Sequence, residues 1–159
     1  MKDMRITLRP AQRTDEAWLE GVRRAAYQDL FKATWGGWDE TRHRRHFEES
    51  WRRGHISIVE SDGVSVGMVQ VFDGADTVEV GEIQILPRYQ NRGIGRRVLV
   101  DVIDAAHKIG KRVLLSLGLK NDGAYRLYGS LGFHELSRSD THIHMSCVPE
   151  HAPMDRRRK

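Results

Sequence analysis

Apolar and polar residues alternate along Met4-Arg5-Ile6-Thr7-Leu8-Arg9, and Pro10 ends the run, the pattern of a half-buried strand. Thr14 or Asp15 can cap the next segment, where Trp18, Val22, Ala25, Ala26 and Leu30 recur at helical spacing. Gly36-Gly37 breaks that helix, and residues 39–53 read as a second one with Phe47 and Trp51 on one face. Residues 55–60 run into Ser61-Asp62-Gly63 and residues 64–72 into Asp73-Gly74, so these two strands predict an antiparallel meander. A third strand over residues 77–86 is stopped by Pro87. A helix then opens near Gly93, with Ile94, Val98, Val102, Ala105 and Ile109 in one stripe, widened by Leu99 and Ile103. Gly110-Lys111 ends it, and residues 112–117 form a compact apolar strand. Strand, glycine turn, helix and strand make a unit whose two strands are expected to be parallel. Ala124, Leu127, Tyr128 and Leu131 mark a short helix closed by Gly132-Phe133, and strands follow around residues 134–137 and 142–147. The pattern is α+β with a mixed sheet.

The third strand contains a phase slip. Val78 and Val80 are apolar at even numbers, Ile83 and Ile85 at odd ones, and the change falls at Gly81-Glu82. One extra residue beside a glycine reads as a β-bulge, or else as an imperfect pattern in a short strand. With both apolar pairs toward the core, Glu79, Glu82 and Gln84 share the opposite face.

Composition narrows the function classes. The chain has 159 residues, 39% hydrophobic and 30% charged, an ordinary balance for one globular domain. The expected domain covers residues 1–148, leaving a basic, disordered tail over residues 149–159. No apolar run approaches the roughly 20 residues of a membrane span, and no secretory leader is expected behind Met1-Lys2-Asp3-Met4-Arg5. A single cysteine, Cys147, suits a reducing cytoplasm. The net charge of +4 points toward nucleic acid only until it is located. Asp155-Arg156-Arg157-Arg158-Lys159 carries +3 of it, leaving +1 for residues 1–154, so no nucleic-acid partner is expected. Eight histidines, with His43 and His46 on one helix and His142 and His144 on one strand, lack the converging spacing of a zinc site. No metal is expected.

Chemistry concentrates in Ile85-Leu86-Pro87-Arg88-Tyr89-Gln90-Asn91-Arg92-Gly93-Ile94-Gly95-Arg96-Arg97. Here a strand ends and glycines open an amphipathic helix. The first turn of a helix has four amide N–H groups without intrahelical partners, and the macrodipole makes that end an anion site. Without a Cβ, Gly93 and Gly95 admit a phosphate close to the backbone, and Arg92, Arg96 and Arg97 surround it with positive charge. The stretch reads as a diphosphate cradle, or else as a glycine turn that merely packs helix on strand. Val98 stands where a dinucleotide fingerprint needs its third glycine, and no nucleotide P-loop sequence is present.

Gln90-Asn91-Arg92-Gly93-Ile94-Gly95 resembles the Q/R-x-x-G-x-G/A signature of the GCN5-related N-acetyltransferases, the GNAT superfamily. Asn121, Ala124, Tyr125, Tyr128, Gly132 and Phe133 are similar to that family's downstream N-x-x-A-x-x-x-Y-x-x-x-G-F pattern. The resemblance implies a mostly antiparallel sheet flanked by helices, with a central splayed strand pair. It implies acetyl-CoA as acetyl donor, its pyrophosphate on the amides of Gln90, Asn91, Arg92, Gly93, Ile94, Gly95 and Arg96. Its pantetheine would pair with Ile83, Gln84, Ile85 and Leu86 and meet Asn121 and Tyr125, with Tyr128 near the thioester sulfur. The acceptor, a small-molecule or peptide amine, would lie against the first two helices, where Tyr27, Phe31, Trp35 and Trp38 gather beside Asp39 and Glu40. Trp and Phe at such helix junctions are more often core.

The implied reaction sets requirements of its own. An alkylammonium has a pKa near 10.4, so direct transfer needs a base. Glu82 is the first candidate and Glu79 the second, each also readable as a solvated carboxylate. A leaving thiol with a pKa near 8.5 suits Tyr128 as proton donor. A non-catalytic acyl-CoA-binding sensor of the same fold is the competing expectation. A homodimer is compatible with the family, with no interface indicated.

Overall fold

The computed structural model describes residues 4–150, apart from the side chains of Thr34 and Trp35, so most of the predicted tail lies outside the described residues. Seven strands, β1 (Ile6–Pro10), β2 (Ile56–Ser61), β3 (Val64–Asp73), β4 (Thr77–Ile85), β5 (Arg112–Gly118), β6 (His134–Arg138) and β7 (His142–Cys147), form one mixed sheet. Its order is β1-β2-β3-β4-β5-β7-β6. Four helices accompany it: α1 (Glu16–Trp35), α2 (Glu40–Arg53), α3 (Ile94–Lys108) and α4 (Asp122–Ser130). Strands β4 and β5 are parallel, as the strand–helix–strand pattern predicts, whereas β1–β2, β2–β3, β5–β7 and β6–β7 are antiparallel. Among the described residues no helix is long and apolar enough to cross a membrane. The chain forms two compact units.

The first unit takes residues 4–70 and 82–95. Its core joins Leu19 and Val22 of α1, Phe47 of α2, Ile56 and Ile58 of β2 and Met68 of β3. Each such side chain, fully buried, contributes roughly 1.5–3 kcal/mol. Trp51 stacks on Phe47 with centroids 6.2 Å apart, which explains their four-residue spacing. Asp39 caps α2, its carboxylate accepting from the Arg42 amide at 3.0 Å. Buried Gln70 holds the other end, donating to the carbonyls of Ser50 at 3.0 Å and Gly54 at 2.9 Å. β1 ends at Pro10, as expected, with the proline inside the strand rather than just beyond it. The proline can stand there, opposite Ser57, because β1 is an edge where a missing N–H costs no ladder bond.

The second unit takes residues 71–81 and 96–150. Val113, Leu115 and Leu117 of β5 are buried, as are Ile143, Met145 and Cys147 of β7, the two strands in register from Val113↔Cys147 to Gly118↔His142. The buried stripe of α3 is Ile94, Val98, Leu99, Ile103 and Ala106. The predicted stripe erred at its end. Ala105 is exposed and Ile109 is 64% exposed, because the helix stops at Lys108 and its 3.6-residue period turns residue 106 inward instead. The parallel ladder runs only from Thr77↔Arg112 to Val80↔Leu115, although β5 continues to Gly118.

Candidate active site

Within the first unit, Leu86 leads into a 3-10 turn (Pro87–Tyr89), and α3 begins at Ile94. Between them Asn91 and Gly93 adopt positive φ, 62° and 85°. Nothing lies within 4 Å of the position a Gly93 Cβ would take, so this backbone is open to an approaching ligand. The Gln90 side chain donates to the Ile85 carbonyl at 2.8 Å and ties the loop to the end of β4. Arg88 and Arg92 both stack on Tyr89, 5.3 and 5.5 Å from its centroid, giving the loop a cationic rim.

The end of β4 has two unlike backbone edges. The Leu86 N–H donates to Val66 at 2.9 Å, and the Gln84 carbonyl also faces β3, close over Gly67. By strand alternation the polar groups of Ile83 and Ile85 point to the other edge. Of the four residues expected to pair with pantetheine, these two alone turn their backbone groups that way. Ile83, expected in the core, is only half-buried, while Gln84, expected on the opposite, polar face, is 4% exposed because that face is covered too.

Glu82 sits in a polar cluster that joins β4 to α1. Its Oε1 accepts from Arg23 Nη1 at 3.2 Å and from the Gln84 side chain. The Arg23 guanidinium lies 5.2 Å from the Tyr27 centroid, and its buried Nε finds no partner among the described residues. Burial and the Glu82 charge push the Tyr27 hydroxyl above its ordinary value, opposed by Arg23 and a hydrogen bond with Gln84. From Tyr27 the aromatics continue edge to face, through Phe31 at 6.2 Å to Trp38 at 5.3 Å, and the Trp38 ring meets His43 at 4.9 Å. Three of the four predicted acceptor aromatics thus form one file. The Trp35 side chain lies outside the described residues.

An ion network fixes α1 to α2 beneath this file. Arg24 bridges Glu20 and Glu40, and Glu40 also accepts from the Trp38 indole at 3.0 Å. These contacts hold the Glu40 carboxyl down to about 2. His43, 2% exposed, donates from Nε2 to Glu20 at 2.9 Å, and its Nδ1 has no partner among the described residues. Burial pushes His43 below its ordinary value, with Glu20 opposing.

In the second unit, Asn121 caps α4, its side-chain oxygen accepting from the Ala124 amide at 3.2 Å, which leaves the NH2 group to offer elsewhere. Tyr128 is buried and packs against Phe133 at 5.8 Å. The exposed Tyr125 hydroxyl donates to Glu135 at 2.6 Å, and Arg138 with Tyr125 holds the Glu135 carboxyl at about 2. Arg96 donates to Ser130 at 2.9 Å. Glu79 is exposed on β4.

Sequence reasoning missed Arg23, because an arginine inside a charged helix reads as solvated. It also passed over Arg42 and Arg45 and weighed His46 only as a metal ligand; the three line a cavity with Asp39 and Thr41. Their i, i+3, i+4 spacing was the available signal. Among the described residues no group of His, Cys, Asp and Glu could hold a metal ion.

A strand ending in a glycine-opened helix, within this seven-stranded mixed sheet, is an α+β arrangement that solved N-acetyltransferase structures share. The profile of the acetyltransferase (GNAT) family matches residues 24–133, and the chain belongs to that family. N-alpha-acetyltransferase RimI of Mycobacterium tuberculosis is 45% identical over 58 residues, 36% of this chain and 35% of that protein. The L-methionine sulfoximine/L-methionine sulfone acetyltransferase of Salmonella typhimurium is 31% identical over 84 residues, 49% of each chain. The chain thus spans about half the length, or less, of the curated relatives it matches. Among solved structures, the PaiA N-acetyltransferase of Thermoplasma acidophilum, in complex with coenzyme A, shares the fold. The TM-score is 0.73 at 17% identity, over 91% of this chain and 99% of that one.

Proposed function

We propose that this protein moves the acetyl group of acetyl-CoA to a primary amine by direct attack, with donor and acceptor bound together. The loop of residues 90–95 carries the reading. Its open Gly93 at φ 85°, its cationic rim and the helix start at Ile94 suit a diphosphate. The coenzyme A held by the Thermoplasma relative is consistent with that choice of diphosphate.

Bound acetyl-CoA supplies an activated acyl group as a thioester. The amides of residues 90–96 hold its pyrophosphate, and Ile83 and Ile85 offer backbone groups to its amide-bearing arm, with Gln84 and Leu86 as their frame. Asn121 and Tyr125 steady that arm further along. Glu82, its Oε1 fastened by Arg23 and Gln84, takes the amine proton directly or through water. Glu79 is the second candidate. As the new C–N bond forms and the C–S bond breaks, Tyr128 gives its proton to the departing sulfur and recovers one from solvent. Tyr27, Phe31, Trp35 and Trp38 receive the acceptor body. A cytoplasmic setting suits the free thiol of Cys147.

The test is thiol release from acetyl-CoA across a panel of small amines and peptides. Acceptor-dependent release is expected. Tight binding of coenzyme A with no release for any acceptor would instead make the protein a non-catalytic acyl-CoA-binding module.

A further inference from the structure

Arg23 is charged, yet it lies on the buried side of α1. It continues the stripe of Leu19 and Val22 and is 7% exposed. A guanidinium taken out of water needs good partners, and Arg23 is thinly supplied. Its Nη1 donates to Glu82 Oε1 at 3.2 Å, and its Cζ lies 5.2 Å from the Tyr27 centroid. The buried Nε has no partner among the described residues.

Other arginines of this chain are better matched. Arg9 holds both oxygens of Asp15, at 2.9 and 3.0 Å, and Arg24 both oxygens of Glu40. Arg138 does the same to Glu135, at 2.9 and 2.8 Å. Such a fork would occupy Glu82 completely. Instead Gln84, two residues along β4 on the same face, donates to the very oxygen that Arg23 uses. Oε2 has no partner among the described residues, and the Glu82 side chain is 20% exposed. Both anchors grip one oxygen and leave the other open. Glu20 is held one-sidedly too, by Arg24 and His43 on its Oε2. Glu20, however, ties α1 to α2, whereas Glu82 stands on the strand that leads to the glycine loop.

We propose that Arg23 is a positioning residue for acetyl transfer: reaching from α1, it fixes the Glu82 carboxylate by Oε1 so that Oε2 receives the proton of the acceptor amine. This role rests on the acetyl-transfer reading with Glu82 as base, and its test separates the two. Oε2 takes the proton as the C–N bond forms and passes it to water after the product leaves, while Oε1 keeps both of its donors. Two donors on one oxygen confine a side chain that would otherwise swing freely, and so supply the orientation a proton transfer needs. The unpartnered Nε fits the same account. A buried donor left unsatisfied is a local fault of the kind that folded chains keep at functional sites.

The test compares Arg23→Gln, Arg23→Lys, Glu82→Gln and the double variant Arg23→Gln/Glu82→Gln, using the best alkylamine acceptor of the thiol-release panel. Glu82→Gln is expected to lower kcat about a hundredfold or more. Arg23→Gln should lower it about tenfold, as loss of a charge-assisted hydrogen bond does, with KM for both substrates kept. The double variant should be no slower than Glu82→Gln, because Arg23 acts only through that carboxylate. The Arg23→Gln deficit should shrink toward pH 10, where more of the alkylamine arrives without its extra proton. Arg23→Lys keeps the charge with a rounder donor and should recover part of the rate. Arg9→Gln, which breaks a fork elsewhere in the same unit, should keep kcat. If Arg23→Gln does not fold, Arg23→Met replaces it throughout, since an apolar side chain of similar volume is tolerated at a buried pair. Normal kcat in Arg23→Gln beside a slow Glu82→Gln overturns the positioning role and leaves the base in place. A deficit that persists in the Glu82→Gln background, or that lies in KM alone, overturns it as well. An unimpaired Glu82→Gln removes the base and Arg23 with it, and no thiol release with any acceptor removes the transfer reading and this role together.

Discussion

Tyr128 is held by packing, while Glu82 is held by charge. A buried tyrosine packed at a tilt against Phe133 has its ring fixed before any ligand arrives, so its hydroxyl can act as a positioned donor. Tyr128→Phe is therefore expected to lower kcat at least tenfold at pH 7. The deficit should shrink toward pH 9, because a thiol with a pKa near 8.5 leaves there without needing the proton. Equal turnover by both proteins across that range would remove Tyr128 from the chemistry. His43 makes a different prediction. Burial lowers its folded value below the unfolded one, so as pH falls below about 6.5 the unfolded chain takes up the proton first. Stability should then drop on acidification, by at most about 1.4 kcal/mol per pH unit from this one group. In His43→Gln the loss between pH 7.5 and 5.5, read by denaturant melts, is expected to be smaller. Tyr128 and Glu82 could be singled out from a motif and a phase slip, both of which are local signals. Arg23 could not, because its partner is 59 residues away and only the fold brings a helix arginine under a strand carboxylate.

At the scale of elements, the sequence pattern placed each helix α1–α4 and each strand β1–β7 of the described residues, although β6 is exposed along its whole length and has no buried apolar face. Their ends were harder to read. Pro10 belongs to an edge strand, and α3 ends before Ile109, because edges and caps depend on neighbours rather than on the run itself. The slip at Gly81-Glu82 coincides with the last rung of the β4–β5 ladder at Val80↔Leu115. The register shifts at Val59/Glu60 and Glu135/Ser137 left no apolar signature and were invisible in the pattern. The sharpest constraint on β4 comes from across the strand pair. A Cβ on Gly67 would lie 2.2 Å from the Gln84 carbonyl oxygen and 2.8 Å from Ile85 Cδ1. Backbone must move to admit it, and the displaced stretch is the one that carries Glu82 and leads to the glycine loop of residues 90–95. Gly67→Ala is expected to cost about 1–3 kcal/mol in denaturant melts, as overpacking does. Acetyl transfer should fall further than that loss accounts for at a temperature where the variant is still folded. A variant that melts like the unaltered protein would show that β3 and β4 can part without strain.

For the whole chain, the instructive quantity is charge and where it lies. Of the net +4, residues 155–159 hold +3, outside the described residues, while Arg88 and Arg92 flank Tyr89 beside the glycine loop. Two origins for anion binding can therefore be separated by one truncation. If the loop binds the donor, acetyl-CoA at a hundredfold excess over its Kd should stabilise the fold by about 2.7 kcal/mol. In a chain of this size that raises Tm by roughly 5–10 °C. A chain lacking residues 155–159 keeps the loop and the arginines around it, and so should show the same rise. Loop binding is short-ranged and made through fixed amides, so the rise should survive an increase in ionic strength better than binding by an exposed basic tail would. Arg92→Glu reverses the charge at the loop without touching the core and should cut the rise. If the truncated chain lost the shift while Arg92→Glu kept it, the tail and not the loop would hold the anion.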